Sequence, residues 1–518
     1  MISRKATKQF LARERRDFRP WKKLTKRELG DMMRALPVRP PIWSKLSKHQ
    51  KVCLLIGIET GRFGFFLDPG MGKTLLNIAL ARWFKKAGLA KHNLVLVPRK
   101  INKGEWKREI AKHSPSSTVC ILRGSTEQKW RRLERTKALF IVETYAGFIR
   151  MICDLEERKT RRKSRKKMRL KPNRKRVKAV AEKCQITTAD ESTFVGSHRA
   201  VTFRILRAIS KLVPYFFELT GTPFGRDPTP LWGQMFLLDG GYSLGETLGL
   251  FRSAFFKESR NFWGGFDYKF DKEKQGKLHR CLAHGTIRYE ADEGDLPRIT
   301  TIVRNVQLPH DAEDYYLAAK RAIRQARGDK METKRGFLRM RQISSGFLGF
   351  KDDETGERAE IDFDPKPKLE ALISDAEDIC QGHKAIIFHE FVHSGDLICR
   401  ELSRVGIGWA RGGGQTKNWD NVLRDFDNDD QIRALVLNNS CVFGPNLQVA
   451  RYGLVFESPL SVINRKQLIR RFHRQYSTHG RVFLIDYCAT ATDRQILKFH
   501  AEGKDLFEAI IEGRAKLK

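Results

Sequence analysis

Short apolar runs alternate along this chain with stretches whose apolar positions recur every three or four residues. Phe63–Leu67 is the first such run. After a glycine-rich turn it is followed by Leu75, Ile78, Ala79, Ala81 and Trp83 at helical spacing. Leu46 to Gln50 begins an amphipathic helix upstream. Downstream, His92–Val97 is an apolar strand closed by Pro98, and Glu105–Ile110 reads as helix. Ala138–Val142, Cys184–Thr188 and Tyr215–Leu219 are further strand-like runs. Strands alternating with helices predict a parallel sheet covered by helices on both faces. Ligands of such sheets bind at the carboxyl ends of the strands.

A second alternation begins near Lys368. Leu369–Ile379 and Ser394–Leu402 read as helices, and Lys384–Phe388, Ala434–Leu437, Arg451–Phe456 and Val482–Ile485 as strands. The stretch between the two alternations is less regular. Its aromatic residues (Phe251, Phe255, Phe256, Phe262, Trp263, Phe266, Tyr268, Phe270) alternate with Lys and Arg. Such residues stack bases in some proteins, but core residues with snorkelling neighbours are the commoner arrangement. Residues 352–364 are acidic and glycine-broken and read as a linker. The expected organisation is an amino-terminal arm (1–40), a first α/β lobe (41–238) with an insertion (150–183), a mainly helical middle segment (239–365), a second α/β lobe (366–490) and a helical tail (491–518) that docks on a lobe.

Charge narrows the class of partner. The 518 residues hold 99 Lys and Arg against 60 Asp and Glu, a net charge of +39, which favours a polyanion such as nucleic acid. The charge is concentrated. Arg158 to Lys178 is dominated by Lys and Arg and contains no acid. Such a block repels itself and is expected to be a mobile insertion that clamps a phosphate backbone; a nuclear-localisation role would need a eukaryotic host. The basic stretch up to Pro40 reads as an arm on phosphate backbone or as a solvated leader. The 9 cysteines form no Cys-x-x-Cys pair, so no zinc ribbon or disulfide framework is indicated. With no apolar leader at Met1–Phe10 and no run of membrane-spanning length, a cytoplasmic protein without a membrane partner is expected (the host cytoplasm if the chain is phage-encoded).

The chemistry is carried by the turn after the first strand, Asp68-Pro69-Gly70-Met71-Gly72-Lys73-Thr74. A strand, a glycine loop and a helix in that order form a phosphate cradle, in which Gly70, Met71 and Gly72 turn backbone N–H groups inward. Lys73 would reach the β- and γ-phosphates of ATP, and the Thr74 hydroxyl would hold Mg²⁺. Leu67 stands where the full Walker pattern has glycine. Two acids, Asp190 and Glu191, follow the Cys184–Thr188 strand. Beside a phosphate loop such a pair divides the work, Asp190 holding Mg²⁺ and Glu191 deprotonating water.

With Leu219-Thr220-Gly221-Thr222-Pro223 after the next strand, the chain resembles superfamily 2 helicases in motifs I, II and III. Leu231-Trp232-Gly233-Gln234-Met235 and the Asp-x-Gly-x-Gly-Lys-Thr form of Asp68 to Thr74 resemble the Snf2-like branch, including its compact phage-type members. The resemblance implies an α/β fold of two RecA-like P-loop lobes that hydrolyse ATP between them. It also implies roles. Gln50 matches the upstream glutamine that reads adenine. Pro98 with Trp106 matches motif Ia, Thr144-Tyr145 matches motif Ib, and Tyr145, Thr220 and Thr222 match residues that couple nucleotide state to grip on nucleic acid. Gln467 to Arg474 matches motif VI, in which Arg471 and Arg474 complete the site and Gln467 orients the water or γ-phosphate. Motif V is partial: Gly444-Pro445-Asn446-Leu447 matches, but Ser440-Cys441-Val442 replaces the small residues before it. His389-Glu390-Phe391-Val392-His393 matches the zinc-protease signature in letters only, because it starts at a strand end and lacks a downstream third ligand; it reads as motif IV.

The expected function is ATP-driven movement along nucleic acid, with DNA the expected substrate. An ATP-gated clamp or remodeller without unwinding is the alternative.

Overall fold

The computed structural model describes residues 4–503 apart from 159–166, 222, 225–226, 261–265, 291–295, 327–328, 352–357, 415, 417, 442–446, 475–476 and 478. The chain forms two compact units, Met1–Ala291 and Asp292–Lys518.

Unit 1 is built on a seven-stranded sheet. Its strand order is Thr286–Tyr289, Arg62–Leu67, Tyr215–Thr220, Ile186–Asp190, Asn93–Val97, Phe140–Thr144, Val119–Ile121. Every pairing in it is parallel. Successive side chains of a strand face opposite ways, so one apolar run serves two cores. Phe63, Phe65 and Leu67 enter the core beneath the helix Lys73–Lys86, whereas Phe66 enters the core on the other face with Phe216 and Ile141. That is why these strands read as unbroken apolar runs.

Two buried polar groupings fix how helices sit on this sheet. Asn77, in the phosphate-loop helix, donates to Thr188 Oγ1 at 2.9 Å. Thr188 donates to Asn93 Oδ1 (3.0 Å), and Asn93 donates to Asn77 Oδ1 (2.9 Å). The triangle is closed and all three residues are fully buried, so any slip of the helix would leave polar groups unsatisfied. The second grouping centres on Glu143, fully buried at the end of the Phe140–Thr144 strand. It pairs with Lys103 from the helix Lys100–His113 and with Lys129 (2.8 Å) from the helix Thr126–Arg135.

Several boundaries differ from expectation. Residues 4–40 are not a free arm: Phe10, Phe18 and Leu29 are buried, and Phe18 packs edge-on against Phe63 at 5.3 Å. Sparse apolar anchors among many cations hide such docking from a composition argument. The basic insertion has structure on both sides of residues 159–166, which lie outside the described residues. Cys153–Arg158 pairs antiparallel with Lys167–Pro172, and the helix Arg174–Lys183 buries Val177, Val180 and Ala181. A core does form, because helical spacing gathers those three apolar residues on one face.

The middle segment is also divided. Thr286–Tyr289 is an edge strand of the first sheet, and Arg298–Asn305 is an edge strand of the second. Within it Phe251 and Phe255 are core, Phe266 is exposed, and Arg252 stacks on Tyr268 at 4.4 Å. Phe262, Trp263 and residues 352–357 of the expected linker lie outside the described residues, while its later part forms the strand Arg358–Asp362, paired antiparallel with Phe347–Lys351.

Unit 2 carries a six-stranded sheet ordered Arg298–Asn305, Arg481–Cys488, Tyr452–Val455, Ala385–His389, Ile432–Asn438, Gly408–Gly412, again parallel throughout. The helix Ala491–Ala501 packs Ile496 against Phe337 and Met340 of the helix Lys330–Ser344, so the tail docks within its own unit as far as it is described. No described helix is long and apolar enough to cross a membrane. All 9 cysteines are free thiols.

Glu143→Ala would leave two lysines facing a buried pocket without their carboxylate. Breaking a buried pair from one side costs about 3–5 kcal/mol. The expected outcome is a clearly lower urea midpoint for unit 1 than in the wild type; an unchanged midpoint would show that the cluster contributes nothing to the fold.

Candidate active site

The phosphate loop leaves the sheet at Leu67. Gly70 and Gly72 have φ of 92° and 73°, in the left-handed region that glycine enters without strain. At Gly72 space decides as well, since a Cβ there would lie 2.1 Å from Gln50 Nε2. The Gln50 side chain is buried against the loop, donating to the carbonyls of Met71 (3.2 Å) and Gly72 (3.3 Å) and accepting from Ser47 N–H (2.9 Å). His49 Nε2 reaches the Met71 carbonyl at 3.0 Å as well. In this conformation Gln50 shapes the loop. Lys73 and Thr74 open the helix Lys73–Lys86, and Lys73 Nζ donates to the Leu67 carbonyl at 3.0 Å.

Asp190 ends the strand Ile186–Asp190, one strand over from Tyr215–Thr220. Burial pushes its carboxyl above the ordinary range and the adjacent Glu191 charge adds to this, while the Trp106 hydrogen bond and the Lys73 charge oppose it. Trp106 Nε1 donates to Asp190 Oδ2 at 2.9 Å. Tyr145 Oη donates to the Asp190 carbonyl at 2.8 Å, and its buried ring stacks on Phe194 at 6.0 Å. Tyr145 therefore joins motif Ib to motif II inside the protein; its ring does not offer a surface for a base.

Glu191 has φ of 51°. A non-glycine residue in the left-handed region is uncommon, and such residues gather at functional sites. Its N–H bonds Asp190 Oδ1 at 3.1 Å, and its Oε2 accepts from the Thr220 hydroxyl at 3.2 Å. Gly221 follows, and a Cβ there would lie 2.7 Å from Pro69 Cδ, so this loop touches the phosphate loop only as glycine. Thr222 lies outside the described residues.

Unit 1 thus brings Gln50, Gly70, Met71, Gly72, Lys73, Thr74, Asp190, Glu191, Tyr145 and Thr220 to one edge of its sheet. The donor set fits a nucleotide's phosphates and a bound cation: turned-in backbone and a lysine on one side, two adjacent carboxylates on the other. Sequence reasoning missed the support beneath it. Trp106 was matched to motif Ia but not to Asp190, and the Asn77–Thr188–Asn93 triangle was unseen. A signal existed, since Asn77 stands between Leu76 and Ile78 in a buried helix.

In unit 2, Gln467 and Arg471 are buried. The helix Val462–Ile469 ends before both arginines, so Arg471 and Arg474 sit in the turns that follow it rather than on a helical face. Arg474 Nε donates to the Arg470 carbonyl at 2.8 Å, and the Arg471 carbonyl accepts from Leu447 N–H at 2.9 Å, tying motif VI to the end of motif V. Gly444, Pro445 and Asn446 lie outside the described residues. A buried two-pronged pair, Arg465 to Asp486 at 2.5 Å on each arm, holds the helix to its sheet and was not foreseen.

His389 is buried at a strand end with Nδ1 2.8 Å from the Phe391 carbonyl. His393, by contrast, opens the following helix and meets Asp362 (2.9 Å) and Glu360 (2.5 Å). Among the described residues no three His, Cys, Asp or Glu form a metal group.

Comparison with known proteins supplies the family. Protein p41 of Acyrthosiphon pisum secondary endosymbiont phage 1 is 24% identical over 420 residues, covering 77% of this chain and 82% of that protein. DNA repair protein RAD5 of Cryptococcus neoformans is 27% identical over 206 residues, 37% of this chain but 17% of RAD5. DNA excision repair protein ERCC-6-like of Danio rerio is 37% identical over 116 residues, 21% of this chain and 8% of the relative. Among solved structures, the Sulfolobus solfataricus SWI2/SNF2 ATPase core in complex with dsDNA aligns over 90% of this chain and 93% of its own, with 20% identity and a TM-score of 0.39. The profile of the SNF2-related domain matches residues 48–349, more than half of the chain. The chain therefore belongs to the SNF2-related domain family and is a nucleic-acid-dependent ATPase of that family.

Proposed function

We propose that this ATPase is a DNA translocase, which hydrolyses ATP held by unit 1 and uses the cycle to step along DNA. The observation that carries the reading is the meeting, at one edge of the first sheet, of the phosphate loop with the strained Glu191 and its Thr220 partner. Support for DNA comes from the net charge of +39 and from relatives named for DNA repair.

In this reading Gly70, Met71, Gly72, Lys73 and Thr74 hold the phosphates, and Gln50 keeps the loop in shape while facing the adenine side. Thr74 and Asp190 would hold Mg²⁺, which when bound neutralises charge between the β- and γ-phosphates. Glu191 takes the proton from the attacking water, with its carboxylate aimed by the left-handed backbone and by Thr220. By their match to motif VI, Arg471 and Arg474 would stabilise transition-state charge, a contribution worth on the order of 10³–10⁵ in rate elsewhere, and Gln467 would orient the water or γ-phosphate. Because Thr220 touches the base and leads into the Gly221 loop, movement of that loop alters the base directly. This gives nucleic acid a route to the chemical step.

Lys73→Ala and Glu191→Gln are each expected to abolish DNA-stimulated ATP hydrolysis, with Glu191→Gln still binding ATP in a fluorescent-nucleotide assay. Wild-type turnover in Glu191→Gln would remove that residue from the mechanism.

Trp106→Phe keeps an aromatic side chain but loses the indole N–H that bonds Asp190. Loss of such a supporting bond typically weakens metal affinity 10–100-fold. A magnesium titration of ATPase activity should shift to correspondingly higher concentration, and an unshifted curve would mean that Trp106 only packs.

A further inference from the structure

A cavity of about 500 Å³ lies in unit 1 between the stretch around the helix Arg4–Leu11 and the helix Gln275–Leu282. It stands at the amino-terminal end of the strands, opposite the carboxyl end from which the phosphate loop leaves. Phe18 N–H donates to the Ala283 carbonyl, and Gly64, near the start of its strand, donates to the Gly285 carbonyl at 2.8 Å. These contacts set both walls beside the amino-terminal ends of the Arg62–Leu67 and Thr286–Tyr289 strands.

The lining is one-sided in charge. Lys8, Arg13, Arg15, Arg19, Lys277 and Arg280 face Asp17 as the single acidic lining residue. Asp17 is already held by Arg19 through contacts of 2.9 and 2.5 Å, and Arg13 pairs with Glu246 at 2.7 Å. Lys8, Lys277 and Arg280 make no ion pair among the described residues. Arg15 is fixed in place, donating to the Arg13 carbonyl (3.0 Å) and the Phe10 carbonyl (2.9 Å) with its guanidinium 4.9 Å from the Phe10 ring centre. Leu11, Ala12 and the buried Cys281 supply apolar walls. Cations gathered in a concave site with low-dielectric walls focus their field, and guanidinium forks match phosphate oxygens.

We propose that this cavity is a second phosphate-binding site, taking a backbone phosphate of the nucleic acid at the amino-terminal end of the unit 1 strands. The inference rests on the proposed DNA partner. The volume also lies in the range of small-ligand pockets, so a free phosphate compound is the other source of the same chemistry. None of the ATPase motifs contributes to the site. Its function is grip, and it extends the path of the nucleic acid beyond the end that carries the chemistry.

The test uses the full chain with Lys277→Ala/Arg280→Ala, and with Lys8→Ala added. Lys8, Lys277 and Arg280 are exposed, and a wild-type thermal midpoint checks that the fold is intact. DNA binding by fluorescence anisotropy is followed between 50 and 200 mM salt. Each lost phosphate contact should flatten the slope of log affinity against log salt by about 0.9. A second arm titrates pyrophosphate at constant ionic strength in a Lys73→Ala background, which weakens the phosphate loop as a competitor.

A flattened slope supports the backbone phosphate. An unchanged slope with pyrophosphate binding lost assigns the cavity to a free phosphate compound. An unchanged slope with pyrophosphate binding unaffected or absent overturns the site. If the wild-type chain binds no DNA, the proposed DNA partner fails, and the pyrophosphate arm still decides the cavity.

Discussion

Two adjacent carboxylates at the half-buried end of a strand are the constraint around which unit 1 is arranged. Burial disfavours the Asp190 anion, and the charge of the adjacent Glu191 disfavours it further. The neighbourhood answers that cost with a lysine charge, an indole N–H on Asp190 and a threonine hydroxyl on Glu191. A cation between these acids and a phosphate would relieve the repulsion most completely. The same electrostatics agree with the proposed Mg²⁺-bound nucleotide.

Such a site needs a stiff base. The Asn77–Thr188–Asn93 triangle pins the phosphate-loop helix to the strand that carries Asp190, so the loop and the acids cannot drift apart without breaking buried hydrogen bonds. The Glu143 cluster holds the helix bearing Trp106 to the neighbouring strand, and Tyr145 begins two residues after Glu143. Motifs Ia, Ib and II are thereby one mechanical piece. Unit 2 uses the same device on its own sheet, where the Arg465–Asp486 pair anchors the helix that leads to Arg471 and Arg474.

Much of this was legible in the sequence. Central strands buried on both faces read as apolar runs, and the glycine loop and the acid pair stood at their carboxyl ends, where such folds place ligands. What escaped was held by polar or sparse signals. The Arg298–Asn305 strand is an edge strand with mostly exposed side chains, so no apolar run marked it. The amino-terminal stretch docks through Phe10, Phe18 and Leu29, three anchors diluted by cations. Trp106 to Asp190 and Arg465 to Asp486 join residues far apart in the chain, and no local pattern encodes such pairs.

In the proposed function, hydrolysis at this site drives movement along DNA. Steady-state ATP turnover on duplexes of increasing length, at fixed nucleotide concentration and saturating ends, tests it most directly. A translocase spends longer travelling on longer DNA, so turnover should rise with length towards a plateau. Turnover that is stimulated equally by short and long duplexes, or not stimulated at all, would contradict the account and leave an ATP-gated clamp in its place.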